Sequence, residues 1–364
     1  MKFTPFFNIH RALYAKMALF GGYQMPIQYA GGVKNEHLAV RKKLGVFDVS
    51  HMGEFMVEGP QAQKLLQYIC SNDITKLYPG KAQYNYLPNK TGGIVDDLIV
   101  YQLEKEKYLL VVNASNIEKD WKWINKFNQS YNADVSDISD ETSLLAIQGP
   151  KAIEAMQSLC DTNLKDLKNY CHTTTSFAGF KNILIATTGY TGSGGIEIYF
   201  NPEYAERIWE RIINAGYNYG ISPVGLAARD TLRIEMGYCL YGNEINDTTS
   251  PISAGLKWIT KSKTNFIYHK KYEKTIKNES DNKLIGFEMN TRGIPRSDYQ
   301  IYDKKENLIG KVTSGTQSPS LNKGIGLGYV KSDFSKIGKN LFIRIRDKLV
   351  PCTIVKVPFY KYKS

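Results

Sequence analysis

Residues 92–101 read GGIVDDLIVY, a glycine pair followed by an apolar run in which two carboxylates, Asp96 and Asp97, stand side by side. The isoleucines and valines of this run are typical of a β-strand, in which successive side chains point to opposite faces. One of the two carboxylates therefore lies on whichever face is buried, and burial of a carboxylate is costly unless it is paired, hydrogen-bonded or protonated. The stretch predicts a strand that carries either a functional carboxylate or an aspartate bonded to nearby backbone N–H groups.

The sequence FMVEGPQA at 55–62 is echoed by LAIQGPKA at 145–152. Each copy predicts a strand, a Gly-Pro corner and an amphipathic helix that ends at Cys70 or Cys160, with the proline at the first helical position. Two similar strand–helix units in one chain predict two related α+β domains packed together.

The last quarter of the chain reads as short β-rich runs separated by Gly, Pro and Asn turns, which predicts an all-β barrel or jelly roll. Ahead of it, the polar and charged segment 268–283 predicts a linker. The predicted strands are 283–289, 299–302, 308–313, 325–330, 341–345 and 352–357.

The composition indicates a folded protein of two or three domains, with 364 residues of which 42% are hydrophobic and 23% charged. The N-terminal apolar run is broken by Lys16, so no signal peptide is expected and the cytoplasm is the expected compartment. The five cysteines and five histidines show none of the spacings of a disulfide framework or a zinc site, and no metal is expected. The net charge of +12 permits an acidic partner, but the lysines are dispersed and neither a nucleic-acid nor a membrane partner is expected.

Two further features point to chemistry. The loop 188–195, TGYTGSGG, lies between predicted strands and matches no phosphate-binding pattern, so its glycines are expected to let the backbone approach something flat. On the predicted helix 224–236, no acidic residue stands three or four positions from Arg229, which follows an apolar stretch. We interpret His51 as a structural histidine, because no spacing in the sequence indicates a catalytic triad.

Six stretches together resemble the aminomethyltransferase (T-protein) family of the glycine cleavage system, in the same order along almost the whole chain. They are Phe47–Gly53, Gly92–Tyr101, Thr188–Gly192, Ala227–Asp230, Leu240–Asn243 and Thr313–Ser320. The resemblance implies an α+β protein shaped as a three-domain cloverleaf, with two antiparallel α+β domains around a folate cavity and a C-terminal jelly-roll-like β-barrel. The expected domains are 1–51 with 140–245, 52–139 with 246–279, and 280–364.

The resemblance also implies a reaction, in which tetrahydrofolate takes the methylene carbon from the aminomethyl group on the lipoyl arm of H-protein. The products are 5,10-methylenetetrahydrofolate, ammonia and dihydrolipoyl H-protein. Tetrahydrofolate is then a co-substrate, and the P-protein and L-protein of the same system are expected partners.

The site residues implied by the resemblance divide into one catalytic group and a set of folate contacts. Asp96 stands at the position of the catalytic carboxylate, whereas Asp97 is expected to serve stability by capping buried backbone donors. A carboxylate can accept the amino group and adjacent ring N–H of a pterin as a two-pronged pair. The implied folate contacts are Glu197, Arg229, Tyr84, Asn113, Tyr190, Met52, Leu98 and Tyr360.

The chain departs from the family pattern in its glycine-rich loop, which usually reads Arg-Thr-Gly-Tyr-Thr-Gly-Glu-Asp-Gly. Thr187 stands in place of the arginine, and Ser193-Gly194 stand in place of the Glu-Asp pair. The alternative is a folate-binding helper of iron–sulphur cluster assembly, which shares the fold but needs a reactive cysteine in a Lys-Gly-Cys-Tyr context. Here Cys239 follows Tyr238 in a different order.

Overall fold

The computed structural model describes residues 1–277 and 281–361, and within these ranges the chain forms eight α-helices and twenty strands. The helices are α1 (Phe7–Ala12), α2 (Gly32–Lys42), α3 (Ala62–Ile69), α4 (Ile117–Asn128), α5 (Ala152–Met156), α6 (Ala205–Gly216), α7 (Leu226–Met236) and α8 (His269–Lys277). Short 3-10 helices lie at Ile74–Lys76, Ala114–Asn116, Ser139–Glu141, Gln157–Leu159, Leu164–Asp166, Pro202–Tyr204, Tyr217–Tyr219, Leu256–Ile259, Ser262–Thr264 and Ser332–Phe334.

The first fourteen strands are β1 (Lys2–Phe3), β2 (Lys16–Phe20), β3 (Tyr23–Gln28), β4 (Leu44–Asp48), β5 (Gly53–Glu58), β6 (Lys81–Pro88), β7 (Ile94–Glu104), β8 (Lys107–Val112), β9 (Asp134–Asp137), β10 (Ser143–Gln148), β11 (His172–Phe177), β12 (Phe180–Ala186), β13 (Gly195–Phe200) and β14 (Ile221–Pro223). The last six are β15 (Asn282–Met289), β16 (Gln300–Tyr302), β17 (Leu308–Ser318), β18 (Lys323–Lys331), β19 (Asn340–Ile345) and β20 (Lys348–Val355). They form sheets in the orders β1-β3-β2, β11-β12-β13-β10-β4-β14 and β6-β7-β8-β5-β9, and a closed barrel β15-β18-β17-β16-β19-β20.

The chain divides into two compact units. The first comprises Met1–Ile69, Asp73–Asn85 and Asp97–Asp230, and the second comprises Cys70–Asn72, Tyr86–Asp96 and the chain from Thr231 onward. The α+β class and the C-terminal barrel are confirmed, while the three-domain boundaries stay a prediction. In the part of the chain that the structure describes, no helix is both long and apolar enough to cross a membrane.

The six-stranded sheet of the first unit is antiparallel except for the pair β14–β4, which is parallel. Apolar side chains of its strands pack with those of α5 and α6 into one core. Central members of this core are Leu145, Ile147, Ile196, Ile198, Ile208 and Trp209. This core holds β13 and the loop before it, on which two of the predicted site residues lie.

The repeated strand, Gly-Pro corner and helix are confirmed, but the prolines do not occupy the first helical position. Helix α3 begins two residues after Pro60, and α5 begins two residues after Pro150. At each corner the glycine carbonyl accepts the N–H three residues on, at 3.0 Å from Ala62 and from Ala152. Each Gly-Pro corner is therefore a separate turn that contains the proline and precedes the helix.

Strand β7 alternates as its sequence predicts. Ile94, Asp96, Leu98 and Val100 are all buried on one face; on the other face Val95 and Tyr101 are buried, while Asp97 and Ile99 are half-buried. Strand β8 pairs antiparallel with β7, with Ile99 opposite Val111. The same register places Asp97 level with Asn113, the first residue after β8.

In the second unit, all six predicted β-runs are confirmed as the strands of the closed barrel, and every pair is antiparallel. The side chains of Phe287, Val312 and Ile343 are fully buried in its core. Strand β17 continues to Ser318, five residues past its predicted end, because a register shift between Val312 and Ser314 lets the strand bend and stay paired with β18.

The prediction of a linker at 268–283 is wrong over 269–277, which form α8, and over 282–283, which begin β15. The side chain of Tyr272 is fully buried, and its hydroxyl donates to the carbonyl oxygen of Gly93 (2.7 Å) and lies 3.1 Å from that of Asn89. The many charged residues of α8 are typical of a linker, and Tyr272 alone did not indicate a buried helix in the sequence. Residues 278–280 of the predicted linker lie outside the described residues.

Candidate functional site

Glu197 lies on β13 of the first unit and is half-buried. Its neighbours across the sheet are Ala146 on β10 and Ala186 on β12, whose small side chains leave room around the carboxylate. The Thr188 hydroxyl donates to its Oε2, and among residues 1–277 and 281–361 no hydrogen bond reaches Oε1. Burial raises the pKa of Glu197, while the Thr188 hydrogen bond and the charge of Arg229 act in the opposite direction.

Arg229 lies on α7, and its guanidinium carbon is 4.6 Å from the centroid of the Tyr190 ring. This is the geometry of a cation–π contact, which fixes the plane of both groups. The structure thus brings together three predicted site residues, Glu197, Arg229 and Tyr190, within the first unit.

The start of α7 is held by a carboxylate on α2. Glu36 accepts the backbone N–H of Gly225 at 2.8 Å with one oxygen and that of Tyr29 at 2.7 Å with the other. Such a carboxylate satisfies donors at a helix N-terminus and is favoured there by the helix dipole. A Cβ at Gly225 would lie 2.3 Å from the carbonyl oxygen of Ile27, so only glycine fits. These contacts fix where Arg229 emerges one turn later.

The glycine-rich loop before β13 is pinned from two sides. The Arg41 guanidinium, itself buried, donates to the carbonyl oxygen of Thr191 (2.5 Å) and to the hydroxyl of Ser193 (2.7 Å). The flat group that the glycines approach includes the side-chain amide of Gln148, since a Cβ at Gly189 would lie 2.1 Å from Gln148 Oε1. The loop is therefore held in place without the family's Glu-Asp pair.

The other departure from the family pattern has partners of its own. The Thr187 hydroxyl is bonded to the carbonyl oxygens of Lys168 (2.5 Å) and Cys171 (3.0 Å), and the Cys171 N–H reaches it at 3.1 Å. These backbone contacts tie the start of the loop to the segment before β11.

Asp97 is bonded to two of the predicted folate contacts. The Tyr84 hydroxyl donates to Asp97 Oδ2 at 2.8 Å, and the Asn113 side-chain amide donates to Oδ1 at 2.9 Å. Asn113 also donates to the backbone carbonyl of Asp97 at 3.1 Å. Asp97 therefore orients Tyr84 and Asn113, and the expectation that it caps buried backbone donors stays a prediction.

The remaining predicted residues lie as follows. Asp96 belongs to the second unit and is fully buried on β7. Leu98 is buried on the same face of that strand, and Met52 is half-buried in the turn between β4 and β5. Tyr360, in the second unit, is half-buried, and its N–H lies 3.3 Å from the carbonyl oxygen of Glu235. Their predicted roles stay predictions.

Sequence reasoning missed a row of hydroxyl groups behind Glu197. The Tyr101 hydroxyl lies 2.9 Å from that of Thr188 and 2.9 Å from that of Tyr199. A signal for Tyr199 was present, since it stands two residues after Glu197 on a strand and so shares its face. Nothing local in the sequence links Tyr101 or Thr188 to them.

His51 is buried, and neither of its ring nitrogens has a hydrogen-bond partner within the described parts of the chain. Its ring meets that of Phe20 edge-on, with centroids 5.5 Å apart. Burial, with the charge of Arg229 in support, lowers the pKa of His51 to about 3, so the imidazole is neutral in the folded protein.

Cys239, which the iron–sulphur alternative would need as a reactive thiol, is buried. A thiol in such a position is poorly placed for chemistry with a ligand or partner. Within the described residues, none of the five cysteines forms a disulfide.

Comparison with known proteins covers nearly the whole chain. Residues 6–264 match the family model described as the GCVT N-terminal domain, and residues 282–361 match the glycine cleavage T-protein C-terminal barrel domain. The chain is 56% identical over 361 residues to an aminomethyltransferase of Flavobacterium psychrophilum, covering 99% of this chain and 100% of the relative. It is 48% identical over 359 residues to one of Chloroherpeton thalassium, covering 99% of each.

A solved structure is similar throughout. The glycine cleavage system aminomethyltransferase T from Bartonella henselae superposes with a TM-score of 0.93 at 32% identity, covering 100% of this chain and 99% of that one.

The neutral state of His51 predicts a loss of stability in acid. In the unfolded chain the imidazole binds a proton with a pKa of about 6.5, whereas in the folded protein the pKa of His51 is about 3. This contribution to stability is complete above about pH 6.5 and is lost as the pH falls toward 3; the loss amounts to about 2 kcal/mol at about pH 5. Denaturant unfolding near pH 7 and pH 5 should show that H51Q loses about 2 kcal/mol less than the natural chain. Equal losses in both proteins would contradict a neutral buried His51.

Proposed function

Because the chain belongs to the aminomethyltransferase (T-protein) family of the glycine cleavage system, we propose that this transferase moves the methylene carbon of the aminomethyl group on the lipoyl arm of H-protein to tetrahydrofolate. The carbon leaves its sulphur and its amine and becomes bonded to N5 and N10 of the folate. The two hydrogens displaced from those nitrogens complete ammonia and the thiol of the dihydrolipoyl arm. Atoms and electrons therefore balance without an added oxidant or reductant.

The observation that carries the proposal is the cluster of Glu197, Arg229 and Tyr190 in the first unit. A pterin edge presents an amino group beside a ring N–H, and a carboxylate that accepts both forms a strong two-pronged pair. Glu197 fits this requirement, since its Oε1 receives no hydrogen bond from the described residues and it is only half-buried. The stacked Arg229 and Tyr190 supply a cation and an aromatic face next to a flat, polar ligand.

Asp96 is proposed as the carboxylate that orients the amine and stabilises the positive charge that develops on nitrogen. Its complete burial on β7 supports this role, because a strand serving only stability would carry Val or Thr there. A charge placed in a dry environment also acts more strongly than one in water. Tyr84, Asn113, Met52, Leu98 and Tyr360 are proposed as folate contacts.

H-protein is the proposed macromolecular partner, and the P-protein and L-protein act in the same system. The net charge of +12 favours association with an acidic carrier, because opposite charges steer two proteins toward encounter.

Substitution of Glu197 or Arg229 should weaken tetrahydrofolate binding. Loss of one charge-assisted hydrogen bond costs about 1.5–3 kcal/mol, so calorimetry on E197Q and R229Q should show affinity reduced by roughly ten- to a hundredfold. R207Q is a matched control, because the Arg207 guanidinium carbon lies 4.7 Å from the Phe180 ring centroid in a similar stack on α6. Normal affinity in folded E197Q and R229Q would show that these residues do not bind the folate.

Asp96 and Asp97 should respond differently to the same substitution. D96N keeps the size of the side chain but removes its charge, and loss of a positioned proton acceptor lowers turnover by roughly 10²–10⁴-fold. Tetrahydrofolate affinity should survive in D96N. D97N should keep turnover and lower the free energy of unfolding by about 0.5–3 kcal/mol, since Tyr84 and Asn113 lose a charged acceptor. Steady-state kinetics and denaturant melts on both variants distinguish the two roles. A catalytic loss confined to D97N would show that Asp97, and not Asp96, is the catalytic carboxylate.

Recruitment of H-protein should be sensitive to salt. Charges are screened over a Debye length of about 8 Å at physiological salt and about 3 Å at about 1 M. The apparent KM for H-protein should therefore rise with ionic strength, while that for tetrahydrofolate changes little. An equal rise for both substrates would argue against charge-assisted recruitment.

A further inference from the structure

Four side chains of the first unit form a continuous row of oxygen atoms that ends at the candidate ligand carboxylate. The row runs from the Tyr199 hydroxyl to that of Tyr101 (2.9 Å), then to that of Thr188 (2.9 Å), and finally to Glu197 Oε2. Tyr101 is fully buried, and Tyr199 and Thr188 are 4% and 3% exposed. Bulk water therefore has little access to the three hydroxyls and cannot readily replace their mutual hydrogen bonds.

The direction of these bonds is determined by proton counting. Each hydroxyl carries one hydrogen, and a charged carboxylate can only accept. Because Thr188 gives its hydrogen to Glu197, it must accept from Tyr101. Because Tyr101 gives its hydrogen to Thr188, it must in turn accept from Tyr199.

We propose that Tyr199, Tyr101 and Thr188 are positioning residues that form a one-way hydrogen-bonded chain, which orients Glu197 and keeps it in its charged, ligand-accepting form. The hydrogen-bonded chain uses one lone pair of Oε2 from the protein side and leaves Oε1 and the other lone pair of Oε2 for the ligand. That this ligand is tetrahydrofolate rests on the proposed function, whereas the effect of the chain on Glu197 does not.

The need for such a chain follows from the burial of Glu197. Burial raises the pKa of this carboxyl, and the hydrogen bond from Thr188 and the charge of Arg229 counter that effect. A protonated carboxyl carries a hydrogen of its own and could no longer accept both donors of a pterin edge. The bond from Thr188 therefore preserves the charge as well as the orientation.

The two phenols keep the direction of the chain constant at neutral pH. Burial raises the pKa of Tyr101 and of Tyr199 well above the usual value, so both stay protonated. Glu197 and Tyr170 add to the shift of Tyr101, and Glu197 and Glu54 add to that of Tyr199.

Two further titratable groups lie near the phenols. The His172 ring meets that of Tyr101 edge-on at 5.7 Å, and burial lowers the pKa of His172. Its Nε2 donates to the Gln102 carbonyl oxygen at 2.9 Å, so the hydrogen of the neutral ring takes no part in the row of hydroxyl groups. Burial and the charge of Asp137 raise the pKa of Glu54 well above its ordinary value. The charge of Arg229 acts on Glu197 and favours its charged form.

The direct test is the titration of Glu197 in the ligand-free protein, followed by carbon NMR of ¹³C-labelled glutamate side chains. Removing the hydroxyl in T188V should raise the pKa of Glu197 by about 1–2 units, since a hydrogen bond to a charged group is lost. T188S retains the hydroxyl and should restore the natural value. Y101F should shift the pKa in the same direction by less, because Thr188 still donates to Glu197 but no longer accepts the hydrogen bond from Tyr101 that strengthens this donation.

Y86F serves as the control for deletion of a buried phenol hydroxyl. Tyr86 is also fully buried and donates to a threonine, Thr260, at 3.1 Å, but in the second unit. The Y86F substitution should leave the pKa of Glu197 unchanged. A Glu197 pKa that stays the same in T188V, or that falls in Y101F, would overturn the proposal.

A second measurement separates this proposal from the proposed function. Calorimetric titration with tetrahydrofolate at neutral pH should show roughly tenfold weaker binding to T188V and recovery in T188S. If the Glu197 pKa moves as expected while the affinity stays constant, the chain positions Glu197 but folate is not the ligand of that carboxylate. If the affinity falls without a change in the pKa, the chain does not act through the charge of Glu197 and the proposal fails.

Discussion

A carboxylate inside a protein must be compensated by hydrogen bonds, by a cation or by a proton, and this requirement shapes much of the structure. Asp48 is fully buried, and hydrogen bonds from Thr4 (2.6 Å) and His10 (3.0 Å) outweigh the effect of burial and lower its pKa. In the second unit, Glu244 is bonded to Arg233 at 2.8 Å and to the Thr313 hydroxyl at 2.6 Å. Both carboxylates have their acceptor sites engaged by the protein, which is the mark of a structural role.

Glu197 differs from these in the number of its partners. It has one hydroxyl donor and a nearby cation, it is half-buried, and its second oxygen is open among the described residues. Incomplete compensation at such a position is costly for the folded protein unless a ligand completes it. The same reasoning assigns Asp97 a supporting role, because Tyr84 and Asn113 already engage both of its oxygens.

The sequence predicted those parts of the fold that depend on local patterns. The six barrel strands and the alternation along β7 follow from a period of two, and the strand–corner–helix repeat follows from its Gly-Pro signature. Helix α8 was missed because it depends on one tyrosine whose backbone partner at Gly93 lies 179 residues away in the chain. Its charged composition alone is typical of a linker.

The candidate site was predictable only where the family pattern names a residue. Glu197, Arg229 and Tyr190 could be named from motifs, and the structure brings them together. The hydroxyl row could not be named, because Tyr101 meets Thr188 and Tyr199 across 87 and 98 residues of chain. Alternation along a strand tells which side chains share a face, but which two faces meet is decided by the tertiary fold.

The most direct test of the assigned chemistry is the reaction itself. The purified protein would be mixed with H-protein that carries the aminomethyl group on its lipoyl arm and with tetrahydrofolate, and the products would be quantified by mass spectrometry. The proposed reaction yields 5,10-methylenetetrahydrofolate, ammonia and dihydrolipoyl H-protein in equal amounts, with no added metal or redox reagent. Absence of the folate product with fully loaded H-protein and a folded enzyme would contradict it.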